Sequence, residues 1–144
     1  MSVVLSGGLK DVARMAVHPA HDERRPERTA RILVVDDDPG IRSLLQELLD
    51  WEGYRVETAG DGAEGLARIR AAPPDLVLLD LMMPGLDGWE VYRRLRADGP
   101  RGVPVILITA GVLAARARQE FPDAPVVGKP FDLDHLLAVI QQHL

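Results

Sequence analysis

LVLLDLMMPGLDG, Leu76–Gly88, is the stretch that decides the fold. Four consecutive apolar residues, Leu76 to Leu79, run straight into a carboxylate, Asp80, and then into a loop carrying Pro84 and Gly85. A short unbroken apolar run bounded by turn residues reads as a strand buried on both faces. Pro73-Pro74, just ahead of it, stops a helix expected over Ala63 to Ala71, and Trp89 to Ala97 reads as the next helix, with Val91 and Leu95 inward. Upstream, Ile32 to Val35 is a second buried strand, and Asp38-Pro39 supplies an N-cap with proline at the first helical position. Ile41, Leu44, Leu45, Leu48 and Leu49 repeat at helical spacing until Gly53, and Tyr54 to Ala59 alternates as a strand before the Gly60-Asp61-Gly62 turn. Downstream, Val105 to Ile108 predicts a strand ending at Thr109, Leu113 to Gln119 a short helix, and Ala124 to Val127 a fifth strand. Asp132 caps a last helix with Leu133, Leu136, Leu137 and Ile140 on one face.

Strands and helices therefore alternate, and the strands are apolar throughout, which predicts a doubly wound α/β domain with a parallel sheet covered on both faces. Ligands of such sheets bind beyond the carboxyl ends of the strands. The 144 residues suffice for one domain with a real core. Residues 1–30 stand apart: His18 to Thr29 is polar, charged and interrupted by proline, so the segment reads as a disordered leader, with a thin stripe of Leu5, Leu9, Val12 and Ala16 ahead of it. Residues 31–144 form the folded domain.

Hydrophobic residues make up 47% and charged residues 27%, an ordinary balance for a globular chain. No apolar run approaches the roughly 20 residues that cross a bilayer, and no membrane association is expected. The absence of cysteine removes disulfides and thiolate metal sites and fits a cytoplasmic setting. A net charge of −5 disfavours nucleic acid, whose phosphates select clustered Lys and Arg. His18, His21, His135 and His143 show no ligand spacing, and Trp51 and Trp89 read as packing residues. Lys10 and Lys129 are the only lysines, so Lys129 stands out.

The strand ends carry the chemistry. The first strand ends in Asp36-Asp37-Asp38, the third in Asp80, the fourth in Thr109, and Lys129-Pro130 follows the fifth. Singly, each has an ordinary explanation: Asp38 before Pro39 is a helix cap, Asp80 a loop solvator, Thr109 a strand former, Lys129 a surface charge. Together, Asp36, Asp37 and Asp80 at one sheet edge would repel strongly unless a cation lies among them. All-oxygen ligands suit Mg²⁺. A carboxylate beside the metal can take a phosphoryl group as an acyl phosphate, with Lys129 as a point charge and the Thr109 hydroxyl as a donor.

At these residues the chain resembles the receiver domain of two-component response regulators. ILVVDDD (Ile32–Asp38), LVLLDLMMPGLDG (Leu76–Gly88), VILITA (Val105–Ala110) and KPF (Lys129–Phe131) carry the resemblance, which covers Arg31 to Leu144. It implies a flavodoxin-like sheet of five parallel strands in the order 2-1-3-4-5 with five helices, an order for which a receiver protein is a standard example. It implies Asp80 as phospho-acceptor, Asp37 as direct Mg²⁺ ligand, Asp36 as a ligand through water, and the Met82 backbone carbonyl as a further ligand. Thr109 and Lys129 match the residues that contact the phosphoryl group, and Lys129-Pro130 matches a cis bond. Ala110 matches a position kept small for the phosphodonor. Met82 and Gly111 occupy positions whose side chains tune hydrolysis elsewhere in the family, and neither can orient water, so slow self-dephosphorylation is expected.

The chain also departs from the family. Val126 stands where many receivers carry an aromatic switch residue, and a β-branched side chain has little reach. The segment from Thr109 to Lys129 is shorter than usual, which implies a shortened or irregular fourth helix. The resemblance implies a stand-alone receiver with no output module after Leu144. It would be phosphorylated by a sensor histidine kinase or phosphotransfer protein, act on a downstream protein target, and be compatible with a weak homodimer. The chain is then no enzyme beyond its own phosphorylation and slow dephosphorylation. An aspartyl phosphohydrolase would need a general acid and a substrate cap, and the sequence shows neither. A phosphorylation-independent docking module is the alternative.

Overall fold

The computed structural model describes residues 29–144, so the expected leader with its thin apolar stripe lies, up to residue 28, outside the described residues. Five strands and five helices alternate: β1 (Arg31–Val35), α1 (Pro39–Trp51), β2 (Arg55–Ala59), α2 (Gly62–Ala71), β3 (Leu76–Asp80), α3 (Gly88–Asp98), β4 (Val105–Ala110), α4 (Gly111–Glu120), β5 (Val126–Lys129) and α5 (Leu133–Gln142). All pairings are parallel and the sheet order is β2-β1-β3-β4-β5, the expected flavodoxin-like arrangement.

The sheet separates two apolar layers because strand side chains alternate faces. Leu33, Val35, Val77, Leu79, Val105 and Leu107 pack on one face against Leu66 and Ile69 of α2, Val91, Tyr92 and Leu95 of α3, and Ala117 of α4. Ile32, Val34, Leu76, Leu78, Ile106 and Ile108 face Leu45 and Leu49 of α1 and Leu136, Leu137 and Ile140 of α5. Each strand buried on both faces is thus explained by helices on both sides.

Helix starts follow their caps. The Asp38 carboxylate accepts from the Gly40 and Ile41 amides, Asp61 from Glu64, Asp87 from Glu90, and Asp132 from Asp134. Gly53, just beyond α1, takes φ 98°, where glycine is cheapest. Two readings need correction. The fifth strand spans Val126–Lys129 rather than Ala124 to Val127, because Leu107 pairs with Val126, so Lys129 ends the strand instead of following it. The fourth helix is regular and starts two residues before the expected Leu113: it runs ten residues from Gly111, directly out of β4. Its N-cap Ala110 makes no side-chain hydrogen bond and it buries only Ala114 and Ala117, so neither cap nor apolar stripe marked its start in the sequence.

Gly65 lets α2 lie flush on β1, since a Cβ there would sit 2.9 Å from both γ-carbons of Val35. Gly65→Ala should cost about 1–3 kcal/mol by overpacking, against a helix-propensity gain of about 1 kcal/mol. In a Val35→Ala background the same change meets no clash and should stabilise. Urea unfolding of the four-variant cycle should give a coupling of at least about 1 kcal/mol. Equal effects in both backgrounds would show that α2 can shift off the strand without cost.

Candidate functional site

The carboxyl edge of the sheet gathers the residues that the sequence singled out. Asp36 leaves β1 buried at 2% exposure, Asp80 ends β3 at 5%, and Thr109 near the end of β4 is fully buried. Asp37 is exposed. One carboxylate oxygen from each of Asp36, Asp37 and Asp80 lies within 4.8 Å of the others. Asp38 instead caps α1 at 2.8 Å from the Gly40 amide, as its position before proline implied.

Strand register puts Lys129 opposite Ala110 at the end of β5. Its Nζ donates to Asp36 Oδ2 at 3.1 Å and lies 3.4 Å from Asp80 Oδ2, so one ammonium faces two buried carboxylates. The Met82 amide donates to Asp80 Oδ1 at 3.2 Å, which curls the chain after β3 around the acceptor. Met82 itself is exposed, as are Ala110 and Gly111, which leaves the approach to Asp80 lined by small or flexible groups. The Lys129-Pro130 bond is cis. Val126 is half-buried among the residues packed under α3 and α4, so the position that could carry an aromatic ring holds a short aliphatic one. Trp89 is buried and Trp51 half-buried, in keeping with packing roles. His135 is exposed; half-buried His143 has its ring nitrogen 2.8 Å from the Val139 carbonyl, away from the acids, and the other two histidines lie outside the described residues.

Burial, reinforced by the charge of Asp36, pushes the Asp80 carboxyl up to about 6, while Lys129 and the Met82 amide pull the other way. Burial alone would lower the Lys129 ammonium, but Asp80 and Asp36 outweigh it and raise it above its usual range. Lys129 alone therefore leaves the gathered carboxylates short of positive charge. Among the described residues, the Thr109 hydroxyl is the buried side-chain group that lacks a hydrogen-bond partner. An unpaired buried hydroxyl normally costs free energy, and here it stands in the strand next to Asp80. An all-oxygen acid set lacking cation charge, beside a polar atom lacking an acceptor, suits a hard divalent cation together with an oxyanion.

Two glycines to which the sequence reading gave no part in the site hold the loop after β3. A Cβ on Gly88 would lie 2.1 Å from the Asp80 carbonyl oxygen, and one on Gly62 would lie 2.0 Å from the carbonyl oxygen of Leu86. The loop from Leu81 to Asp87 is thus pressed between α3 and α2. The recurrent Asp-Gly pairs at Asp61-Gly62 and Asp87-Gly88 were the available signal, but each also reads as a helix start.

The Asp80 shift has a definite sign. Between 3.8 and about 6 the folded chain keeps a proton that the unfolded chain has released, so without metal stability falls as pH rises through that window. In EDTA at pH 7, Asp80→Asn should be more stable than wild type by up to about 3 kcal/mol, one pKa unit being worth about 1.4 kcal/mol. The gain should vanish near pH 4. Urea unfolding at the two pH values measures it, and a less stable variant at pH 7 would contradict the charge balance described.

The family model described as "Response regulator receiver domain" matches residues 32–141. The response regulator MprA of Mycolicibacterium vanbaalenii is 46% identical over 110 residues, which cover 75% of this chain and 47% of that protein. The DNA-binding response regulator MtrA of Mycolicibacterium smegmatis is 51% identical over 80 residues, 56% of this chain and 34% of that protein. This chain thus spans half or less of the curated relatives' length. Among solved structures, the response regulator TrrA of Thermotoga maritima, in complex with Mg²⁺-BeF, is 38% identical with a TM-score of 0.71, over 81% of this chain and 100% of that one. The chemotaxis protein CheY4 of Vibrio cholerae is 30% identical with a TM-score of 0.68, over 81% of this chain and 99% of that one. With the match spanning the sheet, the helices and every strand end that carries an acid, this chain belongs to the response-regulator receiver domains of two-component signalling systems.

Proposed function

We propose that Asp80 accepts a phosphoryl group from a sensor histidine kinase or a histidine phosphotransfer protein, and that the phosphorylated domain signals by binding a downstream protein. The observation that carries this reading is the juxtaposition of three carboxylates within 4.8 Å with Lys129 bridging two of them. Asp36, Asp37, Asp80 and the Met82 backbone carbonyl are the residues that would hold Mg²⁺. When bound, the ion supplies positive charge against the phosphoryl oxygens. An oxygen of ionised Asp80 attacks phosphorus, the bond from phosphorus to the donor's imidazole nitrogen breaks, and the electron pair leaves with that nitrogen. Lys129 gives its ammonium to a phosphoryl oxygen, and Thr109 donates the proton for which it has no acceptor among the described residues. Ala110 leaves room for the donor. The domain catalyses its own modification only, with no separate substrate turned over. No described helix is long and apolar enough to cross a membrane, and a cytoplasmic setting is the one in which such a partner works.

A phosphorylation-independent docking module is favoured by one observation, the aliphatic Val126 where an aromatic relay would sit, and partner binding unchanged by Asp80→Asn would establish it. A weak homodimer is compatible with either reading.

Incubation with acetyl phosphate should add one phosphoryl group by intact mass, requiring both Mg²⁺ and Asp80; no adduct in wild type, with no binding of beryllofluoride, would overturn phospho-acceptance. Exposed Met82 and side-chain-free Gly111 cannot position an attacking water, so the acyl phosphate should be long-lived. Met82→Asn should shorten its lifetime several-fold in the same mass assay, and an unchanged lifetime would remove Met82 from control of hydrolysis.

A further inference from the structure

We infer that Arg42, outside the acid set itself, is a positioning residue for the Mg²⁺ pocket: its guanidinium fixes the peptide group that joins Asp36 to Asp37. The inference rests on the reading of those two acids as the residues that hold the ion.

Asp37 shows why such a residue is needed. Its side chain is exposed and, among the described residues, takes part in no hydrogen bond or ion pair. Its place beside the Asp36 and Asp80 carboxylates is therefore set by the backbone. The peptide unit between Asp36 and Asp37 is planar, so the direction of its carbonyl dictates how the chain enters Asp37 and where that side chain projects. Arg42 Nη1 donates to this carbonyl oxygen at 2.7 Å, a short charge-assisted bond. Around it, the Asp36 amide donates to the Ala59 carbonyl at 3.1 Å, and the Arg42 amide to the Asp38 carbonyl at 3.0 Å. The first turn of α1 and the acid loop thus close on one another through two side chains, the guanidinium and the Asp36 carboxylate, whose Oδ1 accepts from the Asp38 amide at 2.9 Å.

The guanidinium is itself seated. A Cβ on Gly60 would lie 3.2 Å from Nη1 and 3.5 Å from Cζ, so the turn after β2 backs the group directly. Gly60 does not take a positive φ, so what the missing side chain provides here is room for the arginine.

Charge and position make opposite demands, which renders the role decidable. A cation near the pocket repels Mg²⁺, so if Arg42 acted only through its charge, removing it would tighten binding. If it holds the Asp36–Asp37 peptide, removing it weakens binding. Calorimetric titration of the full chain with MgCl₂ at about 0.15 M salt, where the Debye length is about 8 Å, separates the two. Arg42→Ala should raise the Kd about 10-fold, at the low end for loss of a group that orients metal ligands. Arg42→Lys, which retains a donor and the charge, should recover part of the loss. Gly60→Ala, which crowds the guanidinium without removing it, should give a smaller rise. Thermal unfolding in EDTA should remain cooperative in all three. An unchanged or lower Kd in Arg42→Ala overturns the inference, as does a loss that Arg42→Lys fails to relieve. Wild type that binds no Mg²⁺ overturns the reading of the acid pocket itself, a result distinct from either.

Discussion

Lys129 reaches across the end of the sheet to stand 3.1 Å from one buried carboxylate and 3.4 Å from another. Two acids this deeply buried are tolerated only with a cation beside them, because desolvation disfavours each charge and their proximity disfavours both. One ammonium stands against the three gathered carboxylates, and burial, reinforced by the charge of Asp36, raises the Asp80 carboxyl. The apolar layers on both faces of the sheet supply the stability that holds such an arrangement in place. The strained charge balance is confined to the one edge where the strands end and a ligand can enter.

Close backbone contacts keep that edge stiff. Gly88 presses α3 onto the carbonyl of Asp80, Gly62 presses α2 onto the loop at Leu86, and Arg42 ties α1 to the carbonyl of Asp36. Three helices thus clamp the segments that present the acids. Few conformations are left for the buried Asp36 and Asp80 carboxylates to lose when a cation binds, which is the physical meaning of a preorganised site.

The opposite flank is built differently. The fourth helix enters without a side-chain cap and buries only two alanines against the sheet. Its hold on α3 comes from Arg116 over Trp89 at 4.7 Å, from the Arg93–Glu120 ion pair, and from Phe121, just past its end, against Tyr92 at 4.5 Å. Exposed ion pairs and aromatic contacts of this kind are each worth on the order of 1 kcal/mol. With Val126 beneath it in place of a ring, this flank lacks the bulky lever that the family resemblance would suggest.

Much of this was legible in the sequence. Continuous apolar strands such as Leu76–Leu79, helices with Asp caps, and acids placed where strands stop determined a doubly wound α/β domain and the membership of its site, because strand burial and capping are local rules. The resemblance of the motifs supplied the strand order and the roles proposed for Asp80, Thr109 and Lys129. The sequence could not determine where β5 begins or how long α4 is, since strand register is a pairing decision and an Ala-Gly start carries no cap signal. Nor could it reveal Arg42, Gly62 and Gly88 as supports of the site. Their meaning lies in an Arg42 hydrogen bond of 2.7 Å to one carbonyl oxygen, and in two other carbonyl oxygens that a side chain on Gly62 or Gly88 would strike at 2.0 or 2.1 Å. Two of those oxygens belong to segments far away along the chain, or beyond a loop, and only tertiary packing brings them within reach.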